Sequence, residues 1–361
     1  MRISFFYLTA YSKTGGIEKF NRNLVEALKI ANINRKEITA FSLYDLNKSV
    51  DGIKFKGFQK KRLSFLVQSF LQGLKSDVII IGHINLSILI FLLKFFKPNA
   101  NIILIVHGIE VWNIHSPVQK KAIKLCNSIL AVSGFTKNKL IENKLAIDAH
   151  KIQIFPNTIE SSFLNAEIDS LKIKNQWQLQ STHKILLTIA RQSSQEQYKG
   201  YDIVLNALPQ IKKHINNVKY FLVGKADEAE FNRINLLIDE LGIRNEVIQT
   251  GFVEEKDLKS YYSMCDVFIM PSKGEGFGIV FLEALACNKK VIAGNGDGSA
   301  DALLGGELGV LVNPDNEDDV ETAIIAALEN ANDDTELKKQ KMLEHFGFDL
   351  FVKRLESVLQ R

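Results

Sequence analysis

Short runs of β-branched and other apolar residues alternate with helical stretches almost without interruption, and this rhythm limits the fold more than any other feature. The first series of runs covers 3–8, 38–43, 78–81, 102–106 and 129–132. Their near-continuous apolarity is that of strands buried on both faces, as in a parallel sheet layered by helices. The rhythm loosens through a polar stretch, 160–182, and then restarts at 185–190, 220–223, 247–249, 267–270, 291–293 and 310–312. The pattern predicts an α/β protein of two doubly wound, Rossmann-like domains, the first over 1–165 and the second over 166–345. Ligands in such folds bind outside the carboxyl ends of the strands, so chemistry is expected in a central cleft faced by the two domains. The tail, 346–361, carries Leu350, Phe351, Leu355, Val358 and Leu359 at helical spacing. Spacing leaves open whether this helix stays on the second domain or crosses back to the first.

At 361 residues, 46% hydrophobic and 24% charged, the chain is long enough for two ordinary cores. Cys126, Cys265 and Cys287 offer neither a disulfide framework nor a CxxC zinc motif. The opening apolar run has no small-residue cleavage signal and reads as a first strand. The most apolar stretch, 84–96, is interrupted by Asn85, Ser87 and Lys94 and falls short of the ~20 residues a spanning helix needs. A cytoplasmic protein is therefore expected. Charge is split unevenly. Residues 1–165 hold 23 Lys and Arg against 10 Asp and Glu, whereas the remainder holds 22 against 31. A first half this basic points to a polyanionic surface, either nucleic acid or an anionic membrane leaflet. Basic patches interleaved with aromatics are missing, which argues against RNA or DNA.

Glu275 and Glu283 bracket the segment Glu275-Gly-Phe-Gly-Ile-Val-Phe-Leu-Glu283. Glu283 is the one polar residue from Gly278 to Cys287, and a buried carboxylate needs a cation, donors or a hydroxyl-rich ligand. Glu275 precedes it in a glycine-rich turn, where backbone N–H groups at a helix start can face an anion. Two acceptors for hydroxyls beside anion donors suit a sugar nucleotide, with a structural ion pair for Glu283 as the alternative. Three further places stand at strand ends. Gly15-Gly16 lies between the first strand and a helix starting near Ile17, where backbone can approach a ligand closely. Arg191 ends the strand 185–190, with Lys199 before Gly200, a cationic pair placed for a diphosphate. His107 and Glu110 follow the strand 102–106, where the histidine can touch substrate, move a proton or bond a nearby carbonyl.

Several motifs are missing. There is no GxxxxGK[ST] phosphate loop, and no Asp-x-Asp pair or His/Asp cluster has metal-ligand spacing. Gly294-Asn-Gly-Asp-Gly298 imitates a dinucleotide fingerprint, but Ser299 takes the third glycine position and the segment falls too late in the chain.

In order, these pieces resemble the retaining GT-B glycosyltransferases of family 4. Gly15-Gly16, Val132-Ser133, Phe155-Pro-Asn157, Arg191 with Lys199-Gly200, Gly251-Phe-Val253, and Pro271-Ser-Lys-Gly-Glu-Gly-Phe-Gly278 with Glu283 match its stations across nearly the whole chain. The resemblance implies that Arg191 and Lys199 hold the donor diphosphate, that Glu275 binds hydroxyls of the transferred sugar, and that Glu283 binds the ribose. It places His107 beside the donor sugar, and makes Gly15, Gly16, Gly224, Phe252, Val253, Gly276, Phe277 and Gly278 donor-binding. Glu110, Ser133 and Asn157 become acceptor-side candidates. It further implies retention of anomeric configuration, no cofactor and no metal, and a UDP-sugar more readily than a GDP-sugar. The stretch from Gly294 departs from the family's commoner Gly-Gly-x-x-Glu turn.

Lys60-Lys-Arg62 precedes a stripe of Leu63, Leu66, Val67, Phe70, Leu71 and Leu74. The stripe is that of a helix packed on its sheet or of a basic, apolar element lying on a membrane. With the basic first half, it makes a peripheral protein with a saccharide or polyprenyl-diphosphate-linked acceptor of surface-polysaccharide synthesis an expectation. The alternatives are a sugar-nucleotide epimerase or phosphorylase on the same architecture, or a nucleotide-sugar binding protein without catalysis.

Overall fold

A computed structural model of the protein describes residues 1–31, 36–143, 148–330 and 334–360. The chain divides into two compact units, Met1–Glu160 with Phe346–Arg361, and Ser161–His345.

Among the described residues, the first unit is built on seven parallel strands: β1 (Arg2–Tyr7), β2 (Glu37–Ser42), β3 (Lys54–Gly57), β4 (Val78–Ile81), β5 (Asn101–Val106), β6 (Ser128–Ala131) and β7 (Ile152–Ile154). Their order is β3-β2-β1-β4-β5-β6-β7, so the winding reverses beside β1. The five inner strands are the apolar runs expected from the sequence. The two additional strands lie at the margins, where one row of backbone N–H and C=O groups is left unpaired and lysines are tolerated. β3 reads Lys-Phe-Lys-Gly and β7 has three residues, so neither shows as an apolar run.

Among the described residues, the second unit has six parallel strands: β8 (Lys184–Ile189), β9 (Val218–Val223), β10 (Val247–Gly251), β11 (Val267–Met270), β12 (Lys290–Gly294) and β13 (Val310–Val312). Their order is β10-β9-β8-β11-β12-β13, with the reversal beside β8. Both orders are those of a doubly wound Rossmann-like sheet, whose ligands meet the strand ends at the switch point.

The tail settles on the first unit. Helix Phe348–Leu359 buries Phe351, Leu355 and Leu359 against helix Gly16–Ile30, and the Phe351 ring meets Phe155 at 4.7 Å and Phe20 at 5.7 Å. The Thr158 hydroxyl donates to the Phe346 carbonyl at 2.7 Å.

Helix Arg62–Lys75 departs from the simple packed reading of its stripe. Its fully inward residues are Phe65, Ser69 and Gly73. Gly73 allows close approach of helix Ser87–Phe96, since a Cβ there would stand 2.6 Å from Leu93 Cδ2. Leu66 and Phe70 pack partly on the core, while Leu63, Val67 and Leu71 face solvent. The physical reason is that a small inward face suffices when two helices share one sheet surface. Among the described residues no helix is long and apolar enough to cross a membrane.

Candidate active site

In the second unit, three loops at the carboxyl ends of β8, β11 and β12 meet so closely that only glycine fits at the junctions. A Cβ on Gly200 would stand 2.2 Å from the Pro271 carbonyl oxygen, and one on Gly298 2.2 Å from that of Gly276. Gly200 also has φ +81°, a left-handed conformation that glycine adopts without strain. Hydrogen bonds then fix the turn 271–278. Lys273 N donates to the Tyr198 carbonyl at 2.8 Å, and Gly298 N to the Glu275 carbonyl at 2.8 Å.

Asp297 is the brace of this arrangement. It is 1% exposed, and its two oxygens accept Glu275 N at 2.6 Å and Ser299 N at 2.9 Å. Burial raises its carboxyl above the ordinary range, against the opposing effect of these bonds. The Gly294–Gly298 segment, which departs from the family's pattern, thus serves to hold the backbone of Glu275 in place. Sequence reasoning missed Asp297. The available signal was a lone carboxylate between two glycines after a buried strand.

The side chain of Glu275 turns to Lys199, whose Nζ lies 2.5 Å from Oε2. Burial works against the lysine's charge, yet the Glu275 charge and hydrogen bond outweigh it and raise the Lys199 pKa. Arg191 is largely exposed and pairs through Nε and a terminal nitrogen with Glu196. Tyr198 ties these groups together. Burial raises its hydroxyl pKa, and the charges of Lys199, Glu196, Glu275 and Arg191 all act on it, so the four lie within electrostatic reach of one hydroxyl. The Lys199 ammonium stands 5.3 Å from that ring's centre. Arg191, Lys199 and Glu275 are therefore brought into one neighbourhood.

Glu283 lies on helix Ile279–Ala286, which starts at Gly278 with φ +88°. It is 2% exposed and accepts the Tyr262 hydroxyl at 2.8 Å. Burial, then the Glu283 charge, push that phenol well above its usual pKa, so Tyr262 remains a donor.

A cavity of about 350 Å³ opens at the ends of β8, β9 and β10, lined among others by Gln192, Gly224, Glu228, Gln249 and Gly251. Gly224, with φ +139°, lets β9 end against β8, where a Cβ would stand 2.0 Å from the Ala190 carbonyl oxygen. Gln192 Nε2 donates to the Gly224 carbonyl at 3.1 Å. Phe252, just beyond Gly251, is exposed and Val253 half-buried, whereas Phe277 is buried.

In the first unit, Gly15 is the residue before helix Gly16–Ile30. Another buried carboxylate, Asp45, organises the loop that leads to it. Asp45 accepts Thr9 Oγ1 at 2.8 Å, Ser42 Oγ at 2.8 Å, and the backbone N–H groups of Ala10, Tyr11 and Ser12 at 2.8 to 3.1 Å. Burial alone would raise its pKa, but the donors prevail and lower it. This residue too escaped the sequence reading, because four of its five partners lie 33 to 36 positions away.

His107 is buried, and burial lowers its pKa to about 4. It is neutral at pH 7, and Nε2 lies 3.0 Å from the Gly82 carbonyl oxygen. A carbonyl only accepts, so Nε2 carries the proton and Nδ1 is left with a lone pair. His83 stacks on it at 6.3 Å and is likewise lowered to about 4, first by burial. The Glu110 carboxylate accepts the His107 backbone N–H. Ser133 is fully buried and caps helix Gly134–Glu142 by accepting Thr136 N at 3.0 Å, which gives it a structural role. Asn157 is 8% exposed, and its Oδ1 is buried without a hydrogen-bond partner.

Comparison with known proteins follows the same division. Residues 169–343 match the family model described as "Glycosyl transferases group 1". A GDP-mannose-dependent alpha-(1-6)-phosphatidylinositol monomannoside mannosyltransferase of Mycolicibacterium smegmatis is 31% identical over 133 residues, 35% of this chain and 34% of that protein. The matched stretch thus spans about a third of the length of the first curated relatives. An uncharacterised glycosyltransferase of Methanocaldococcus jannaschii is 24% identical over 342 residues, 89% of this chain and 86% of the relative. Among solved structures, Anabaena HepE in complex with UDP has a TM-score of 0.81 at 18% identity, covering 100% of both chains. Its complex with UDP-glucose likewise has a TM-score of 0.81, at 17% identity over 100% of this chain and 99% of that one. The fold is GT-B, and residues 169–343, just under half of the chain, match the glycosyl transferases group 1 family.

Proposed function

We propose that the protein is a metal-independent retaining glycosyltransferase of family 4, which moves a hexose-type sugar from a nucleotide diphosphate to a saccharide or polyprenyl-diphosphate-linked saccharide. A UDP-sugar is the favoured donor and a GDP-sugar the second choice. The observation that carries the reading is the Lys199–Glu275 pair, held at 2.5 Å on a turn braced by Asp297. A cation beside a hydroxyl acceptor suits a group whose one end is a pyrophosphate and whose other end is a sugar.

On this reading Lys199 and Arg191 bind the diphosphate and stabilise the charge that grows on it as it leaves. Glu275 exchanges part of its contact with Lys199 for sugar hydroxyls, and Glu283 takes the ribose hydroxyls. The cavity at the ends of β8 to β10 takes the base, with Gly224, Phe252 and Val253 at its margin. Gly276, Phe277 and Gly278 cradle the sugar from the turn. From the first unit, Gly15 and Gly16 are assigned to phosphate, and His107 to a sugar hydroxyl that donates to Nδ1. Glu110 and Asn157 remain with the acceptor, the buried Asn157 Oδ1 being the atom in want of a donor, whereas Ser133 is withdrawn as a buried helix cap. The acceptor hydroxyl oxygen bonds to the anomeric carbon on the face that the phosphate leaves. The carbon–oxygen bond electrons pass to the diphosphate, and one of its oxygens takes the acceptor proton. We place this reaction in surface-polysaccharide synthesis, at the cytoplasmic face of the membrane.

Thermal shift with UDP-, GDP- and ADP-sugars, followed by release of free nucleotide with acceptor present, tests the reading. Stabilisation by one class and acceptor-dependent nucleotide release are expected. Conversion of the donor with no nucleotide released would show an epimerase instead, and stabilisation without turnover a binding protein.

A further inference from the structure

The face of the first unit formed by helices Arg62–Lys75 and Ser87–Phe96 carries large apolar side chains that cover nothing. Leu63, Val67 and Leu71 form a line at four-residue spacing, with Leu63 76% exposed. On the neighbouring helix Phe95 is 78% and Phe96 61% exposed, and Phe96 meets Phe70 of the first helix at 5.3 Å, so the two helices share one surface. Scattered apolar residues are ordinary on proteins, but a contiguous patch across two packed helices is a contact surface.

Charge identifies the occupant. From residue 52 to residue 109 the chain has eight Lys and Arg and a single acid, Asp77. That acid is held by Arg2, whose backbone N–H donates to it at 2.7 Å. Lys60, Lys61, Arg62 and Lys75 are exposed at the two ends of the first helix, and among the described residues none has an ion-pair partner. Long cationic side chains around exposed leucine and phenylalanine match an interface between acyl chains and anionic headgroups. A second copy of this chain fits poorly, because a self-complementary contact would set these unpaired cations against their own images.

We infer that this face docks the protein on an anionic lipid surface, with Leu63, Val67, Leu71, Phe95 and Phe96 entering the acyl boundary and Lys60, Lys61, Arg62 and Lys75 on the headgroups. The inference specifies the membrane side of the functional reading but is tested with lipid alone, so either can fail without the other.

The full chain is sedimented with phosphatidylcholine vesicles, with and without phosphatidylglycerol, at low and high salt. Three proteins are compared: the parent, Lys60→Ser/Lys61→Ser/Arg62→Ser, and Leu71→Ser/Phe95→Ser. All the altered side chains are exposed, and unchanged melting checks folding. Binding that requires the anionic lipid and weakens with salt is expected. The triple change should lower the partition coefficient on the order of 100-fold, about fivefold per residue, and the double change should abolish binding. No vesicle binding by the parent, or equal binding by all three, overturns the inference. So does a concentration-dependent dimer that the double change dissociates, with no lipid binding, which would make this face an interface between copies.

Discussion

The Asp297 carboxylate accepts the backbone N–H of Glu275 at 2.6 Å, so a residue on the loop after β12 sets the position of one on the loop after β11. Asp297→Ala should strip two backbone donors of their acceptor and lower stability by about 2 to 6 kcal/mol, since each unsatisfied buried group costs about 1–3 kcal/mol. The same change should weaken donor binding more than tenfold, because Glu275 loses its anchor. Denaturant unfolding and sugar-nucleotide titration measure the two effects separately. A loss of stability with affinity intact would confine Asp297 to folding.

Arg191 should separate function from stability. Its side chain is exposed, so Arg191→Ala is expected to leave melting within about 0.5 kcal/mol of the parent. Removal of a charged partner worth roughly 1.5–3 kcal/mol should slow turnover by about 10- to 150-fold. Steady-state nucleotide release decides it, and an unchanged rate would contradict the assigned role.

Glu283→Gln keeps an oxygen for the Tyr262 hydroxyl, so the empty protein should melt within a few degrees of the parent. Nucleotide affinity should fall by about tenfold or more, read by calorimetric titration. The reverse outcome, with collapsed melting and preserved affinity, would make Glu283 a structural group.

The buried histidines set an acid limit. His107 titrates near 4 when folded and near 6.5 when unfolded, so below pH 6.5 the unfolded chain binds the extra proton. Stability should therefore fall as pH drops from 6.5 towards 4, by roughly 3 kcal/mol for this residue. His83 acts in the same direction. The pair His83→Gln/His107→Gln should flatten the fall between pH 7 and pH 5, measured by melting at each pH.

Asp45 acts lower on the scale. Its folded pKa lies below the ordinary aspartate value, so its contribution is present above that value and is lost as pH falls through the lower folded one. Asp45→Ala should remove the acceptor of three consecutive backbone N–H groups and cost about 3 kcal/mol or more. Hydrogen exchange should then rise at residues 10–12.

The fold was largely legible because inner parallel strands are apolar on both faces, and a run such as Val78–Ile81 announces itself. The edge strands of the first sheet were not, since Lys54–Gly57 alternates charge with apolar residues and β7 is three residues long. Within the site, Arg191, Lys199, Glu275 and Glu283 stood out as charges at strand ends or within an apolar helix. Tyr198 and Asp297 did not, because their importance comes from neighbours supplied by distant loops. The stripe on Arg62–Lys75 was legible as apolar, but periodicity gives no sense of direction, and half of it points to solvent.

The placement of the last helix has a consequence for synthesis. Phe351 closes over Phe20 and Phe155, so the first unit lacks its final layer until helix Phe348–Leu359 has left the ribosome. The core of Ser161–His345 needs no residue of that helix, so its completion does not wait on it. A ribosome stalled near residue 345 would display two bare aromatic rings to the chaperones that meet nascent chains.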